Sequence, residues 1–69
     1  MKSEFYVLLS KDGLYYSFKH LDHYIMTYLL SAAQTFATFE EALDFNGNEC
    51  NGQFGVSKVT IVVERVING

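Results

Sequence analysis

The stretch "HLDHYIMTYLLSAAQ", residues 20–34, decides the fold. Two readings compete for it. At helical spacing, Leu21, Tyr24, Ile25, Tyr28, Leu29, Ala32 and Ala33 fall on one apolar stripe, as an amphipathic helix requires. Judged by side-chain type, Tyr24-Ile25-Met26-Thr27-Tyr28 is a run of β-branched and aromatic residues, which suits a strand. Ser31 would then cap a single helical turn through Ala32-Ala33-Gln34. The strand followed by a turn is the preferred reading, with a helix over 21–34 as the alternative.

Upstream the signals are plainer. Residues 4–10 alternate Phe5, Val7 and Leu9 onto one face of a strand. Asp12-Gly13 follows, and an Asp-Gly pair between apolar runs marks a hairpin because glycine accepts positive φ at no steric cost. Residues 14–19 give the return strand, with Leu14, Tyr16 and Phe18 on one face and Tyr15, Ser17 and Lys19 on the other.

Downstream, Thr38-Phe39-Glu40-Glu41 has the pattern of a capping box, in which the Thr38 hydroxyl accepts from the Glu41 amide and the Glu41 carboxylate returns to the Thr38 amide. Glu40 and Glu41 lie in the first turn, where the helix dipole favours negative charge. The pattern predicts a helix over 39–46, about two turns, with Phe39, Ala42 and Leu43 inward and Gly47 as a left-handed cap. So short a helix needs a sheet to lie on. A loop rich in Asn and Gly covers 46–55, with Phe54 as its one large apolar residue. Residues 56–67 read as the last strand, with Val59, Ile61 and Val63 on one face and Lys58, Thr60, Val62 and Glu64 on the other.

The sum is an α+β single domain over 1–69: an antiparallel sheet of three to four strands in the order β-β-β-α-β, with one short helix on one face. The opposite face is expected to show Tyr6, Leu8, Tyr15, Val62 and Val66, which is apolar enough to invite a partner or a second copy.

Size and composition sharpen that expectation. A chain of 69 residues with a single cysteine gains nothing from an internal disulfide, and the lone thiol suits a reducing compartment. Eleven Tyr and Phe rings are many for so small a body, so some must lie at the surface. Met1-Lys2-Ser3-Glu4 does not open a signal peptide, and the longest apolar run is about half a membrane span. A soluble, cytoplasmic protein is expected.

The net charge is −3, and its distribution says more than its size. From His20 to Ser57 there is no Lys or Arg, while Asp22, Glu40, Glu41, Asp44 and Glu49 all fall there. Direct binding of DNA or RNA needs a basic footprint, which the chain lacks. An acidic middle suits a host protein with a basic surface instead, because attraction speeds encounter. On that reading Glu40, Glu41, Asp44 and Glu49 steer, and Tyr24, Tyr28 or Phe54 anchor. The plainer reading is that these acids only solvate a helix and a loop.

Catalytic chemistry finds little support. Cys50 has no cation beside it in sequence, and no phosphate-binding glycine motif is present. Glu40, Glu41 and Asp44 share a short helix instead of facing one another across a cleft. No cofactor is expected. His20 and His23 with Cys50 offer a weak alternative, three of four tetrahedral metal positions at a spacing that matches no finger pattern.

The runs "FYVLL" at 5–9, "DGLYYS" at 12–17, "LLSAAQTFATFEEALDF" at 29–45 and "KVTIVVERVI" at 58–67 resemble small accessory proteins encoded by phages and prophages of Gram-positive bacteria. Ala33, Phe36, Thr38, Glu40, Glu41 and Ala42 carry the match within the third run. The resemblance implies a non-enzymatic binder of host machinery, some members of the group being inhibitors of defence nucleases. It carries over no individual functional residue. A homodimeric assembly protein and a metal-dependent regulator are the other readings.

Overall fold

A computed structural model describes residues 2–64. The sheet has four antiparallel strands in the spatial order β3-β2-β1-β4: β1 (Lys2–Leu9), β2 (Tyr15–His20), β3 (His23–Thr27) and β4 (Gly55–Val62). One helix, α1 (Phe39–Glu49), lies on one face. The deciding stretch is therefore a strand. Propensity wins over helical spacing because Tyr24 and Met26 turn to the helix side and pack on the core, while Ile25 pairs with Phe18. A 3-10 turn follows at Leu30–Ala32. It starts from Leu29 without a side-chain cap, so Ser31 lies inside the turn and does not open it.

The β1–β2 hairpin turns at Ser10–Gly13. Gly13 sits at φ 82°, and the Ser10 hydroxyl accepts from the Leu14 amide at 3.1 Å. Beyond the pair Leu9–Tyr15 the two strands part. The chain between β3 and α1 enters the fork. Tyr6 and Phe36 exchange two backbone hydrogen bonds of 2.8 and 2.9 Å, and the Gln34 amide donates to the Tyr16 carbonyl at 3.0 Å. The Ser17 hydroxyl donates to the Ala32 carbonyl at 2.7 Å. Backbone groups that strand pairing would have used are thus satisfied by this wedge, as buried amides require.

The helix covers the face that carries Leu8 and Tyr16. These pack with Phe36, Ala42 and Cys50 into the buried cluster, and Tyr6, Tyr24, Phe45, Phe54 and Val56 close its sides. This inverts the expected faces of β1: Tyr6 and Leu8 lie under the helix, while Phe5, Val7 and Leu9 face away. Every residue from Phe5 to Leu9 is apolar or aromatic, so a period-two pattern could not choose between the faces. Val7 is fully buried on the second face, where Leu30, Ala33 and Thr35 line a recess together with Phe5 and Ile61. Tyr15, as expected, shares that second face with Leu9. Phe18 was expected beside Tyr16 but pairs with Ile25 on the other side, because β2 carries a bulge between Tyr16 and Phe18. Val62 shares the face of Tyr6 but lies past the helix, exposed, and Val66 lies outside the described residues.

The helix is longer than its sequence suggests. It runs to Glu49, with Gly47 inside it and Cys50 as its C-cap. The left-handed positions come later, at Asn51 (φ 54°) and Gly52 (φ 69°). Asn46 explains the extension. Its side chain is buried and clamps both backbone groups of Phe54: Nδ2 donates to the Phe54 carbonyl at 2.7 Å and Oδ1 accepts from the Phe54 amide at 3.2 Å. An asparagine that looks like a helix stop is instead a bracket between α1 and β4. The inward residues are accordingly Ala42, Phe45, Asn46 and Cys50, and Leu43 and Phe39 are exposed at the flank.

At the other end Thr38 caps as expected, its hydroxyl accepting from the Glu41 amide at 3.2 Å. The return bond differs. The Glu41 carboxylate accepts from the Ala37 amide at 3.3 Å, one residue before the cap.

Candidate protein-docking surface

The four acids Glu40, Glu41, Asp44 and Glu49 are all exposed. None of them pairs with a lysine or arginine among the described residues. At about 100° of rotation per residue, Glu40 and Asp44 fall on one outward stripe of α1 and Glu41 lies beside it. Glu49 falls on a different side, at the end of the helix, where its charge reaches Tyr16 and Cys50. The acidic surface therefore consists of Glu40, Glu41 and Asp44, with Glu49 apart from it.

Apolar surface adjoins it. Leu43 is 50% exposed and Phe39 is exposed beside it, one turn earlier. The Phe39 ring stands edge-on against Tyr6 at 6.2 Å, so it is held in place while presenting one side to water. The sequence pattern sent both residues inward. The signal against that was Phe45, because a helix that packs 42, 45 and 46 on the core rotates its inward stripe away from 43 and leaves 39 at its edge.

The three candidate anchors separate. Tyr28 is 79% exposed at the end of β3. Tyr24 and Phe54 belong to the core wall. Their rings meet at 5.4 Å, Tyr16 lies 6.3 Å from Tyr24 and 5.9 Å from Phe54, and the Lys19 ammonium stands 5.6 Å above the Tyr24 ring. Their first duty is to hold β3 and the loop after α1 against β2.

The weak metal set is not assembled. His20 and His23 are register partners across the β2–β3 turn, where Leu21 takes φ 54°. Cys50 is fully buried under the end of the helix. No cluster of three or more His, Cys, Asp or Glu able to hold a metal occurs among the described residues. Burial pushes the Cys50 thiol up, with Glu49 adding to the shift and Lys19 opposing it. A buried thiol with a raised pKa is the reverse of an activated nucleophile. Burial likewise raises the Tyr16 phenol.

One charged cluster escaped the sequence reading. On the helix side, beyond the start of α1 where Phe39 meets Tyr6, the Glu4 carboxylate receives the Lys2 ammonium at 3.1 Å and the Lys58 ammonium at 3.2 Å. These cations hold the Glu4 carboxyl below its ordinary range, Lys2 contributing most. Only cross-strand register brings 58 beside 4, which sequence spacing does not reveal. The recess beside Phe5 and Ile61, about 450 Å³ and open to solvent, is lined by apolar groups with the hydroxyl-bearing Ser31 and Thr35, and carries no charge.

Comparisons with protein-family models, with curated proteins and with solved structures found no match to the chain. No helix among the described residues is long and apolar enough to cross a membrane.

Proposed function

We propose that the chain is a non-enzymatic protein-binding module that docks the outer side of α1 on a basic surface of a partner protein. The observation that carries this reading is the uncompensated acidic stripe, Glu40, Glu41 and Asp44, bordered by the exposed side chains of Leu43 and Phe39. Charge gives long-range attraction and orientation, and the apolar border supplies surface to exclude water once contact is made. A basic surface of matching extent is what proteins that handle nucleic acids offer to phosphate. The chain would act by occupying that groove in place of DNA or RNA. The resemblance to phage accessory proteins supports a host enzyme or defence protein as the target, and the host cytoplasm as the place of action.

The test uses the full chain as bait, in parallel with the double variant Glu40→Lys/Asp44→Lys. A partner captured by the wild type should bind with an association rate that falls steeply with salt. It should bind the double variant at least about tenfold more slowly. Binding that is indifferent to both salt and charge reversal refutes the reading.

A further inference from the structure

β4 forms one edge of the sheet, and no other strand among the described residues pairs with its outer side. Edges are normally protected by proline, a bulge, an inward charge or a covering element. β4 has no proline and pairs with β1 without a register break, from Lys2–Val62 to Leu9–Gly55. Its single charge, Lys58, is drawn to Glu4 on β1. Past the helix, Ile61, Val62 and Val63 are 42%, 64% and 59% exposed, so both faces of the strand end show apolar surface.

The sequence at this edge is complementary to itself. Residues 58–64 read Lys-Val-Thr-Ile-Val-Val-Glu. Turned antiparallel on Ile61, Lys58 meets Glu64, Val59 meets Val63, Thr60 meets Val62 and Ile61 meets Ile61. Neighbouring registers lose the match: centring on Thr60 sets Lys58 against Val62 and Glu64 against Val56. The charges favour the same register. Lys2 and Lys58 share the single carboxylate of Glu4, leaving one positive charge over. Glu64 of a second copy would balance it.

We infer that a second copy of this chain pairs with the first across β4, antiparallel and centred on Ile61, extending the strand through Glu64. The two four-stranded sheets become one continuous sheet, and a two-fold axis normal to the sheet leaves both helices on the same face. An interface of this width suits a reversible dimer more than an obligate one.

Two measurements test the pairing. In a directly opposed antiparallel pair the Cα atoms lie about 4.5–5.5 Å apart, within the range a disulfide spans. Ile61→Cys should therefore cross-link into a covalent dimer on mild oxidation. Val59→Cys, whose opposite residue is Val63, and the wild type, whose Cys50 is buried, should not. In sedimentation at micromolar concentration, Lys58→Glu and Glu64→Lys should each weaken self-association about tenfold. An equimolar mixture of the two should restore it, because only the mixed dimer pairs opposite charges at both ends. All four substituted positions are exposed or half-exposed, so circular dichroism should be unchanged. A wild type that stays monomeric throughout, equal cross-linking at 59 and 61, or a mixture no stronger than its components overturns the proposal. The first of these is also what a strand from an unrelated partner on this edge would give.

Discussion

Replacing Asn46 with alanine removes both hydrogen bonds of the bracket, the 2.7 Å bond to the Phe54 carbonyl and the 3.2 Å bond from the Phe54 amide. A polar group left unpaired in the interior costs about 1–3 kcal/mol. Phe54 is only half-buried, so water reaches part of the gap and the lower end of that range applies to each group. Two such losses amount to about 2–3 kcal/mol. Alanine is the better helix former by about 0.5 kcal/mol, which offsets a little. A net loss of about 2 kcal/mol compares with a total of roughly 3–10 kcal/mol for a chain of this length. The midpoint of thermal unfolding should fall by roughly 8–16 °C. Urea titration followed by tyrosine fluorescence should show a lower midpoint at unchanged slope.

The variant Asn46→Asp separates the bracket from mere packing. A carboxylate accepts from the Phe54 amide but repels the Phe54 carbonyl, and burial raises its folded pKa above the unfolded value of about 3.9. A group raised in the folded state contributes fully below the unfolded pKa and loses that contribution as pH rises through the folded one. This variant should therefore approach wild-type stability in acid and fall away towards neutrality. If Asn46→Ala costs under about 0.5 kcal/mol, or Asn46→Asp shows no such slope, the bracket is not what joins α1 to β4.

Gly47 lies inside α1 with open space where a Cβ would stand, so Gly47→Ala should stabilise by about 0.5–1 kcal/mol in urea unfolding. Gly52→Ala, at φ 69°, should instead destabilise by about 1 kcal/mol in the same assay. The Glu4 carboxyl is held below its ordinary value of 4.5 by Lys2 and then Lys58. Its contribution is therefore present above the unfolded value and lost as pH falls through the depressed one. An NMR titration should show the low midpoint moving up in Lys2→Ala and in high salt. Thiol reagents should modify Cys50 far more slowly in the native protein than in urea, since the thiol is buried; equal rates would place it at the surface.

Most of the secondary structure was legible because local chemistry decides it. Gly13 fixes the first turn, Thr38 fixes the helix start, and the β-rich run 24–27 prevails over a competing helical stripe. What misled was chemistry whose partner lies far along the chain. Asn46 beside Gly47 carries a stop signal unless Phe54 is known to be waiting for its amide. The faces of β1 are ambiguous because both are apolar, and the fork between β1 and β2 depends on Phe36 reaching Tyr6. The acids were readable as exposed from the helix pattern alone. Which aromatic rings remained free was not, since Tyr24 and Phe54 are separated by the whole wedge and helix before they meet.

The pairing of Lys2 with Val62 also bears on how the chain is made. At a synthesis rate of about 5–20 residues per second, β1 leaves the ribosome some 3–12 s before the strand that flanks it. Throughout that interval the run from Phe5 to Leu9 has a bare edge and two greasy sides. Closing a loop of nearly the entire chain is entropically slow, so folding is expected to be late and all at once. A nascent chain stalled before residue 55 should accordingly attract chaperones, whereas the finished one should not.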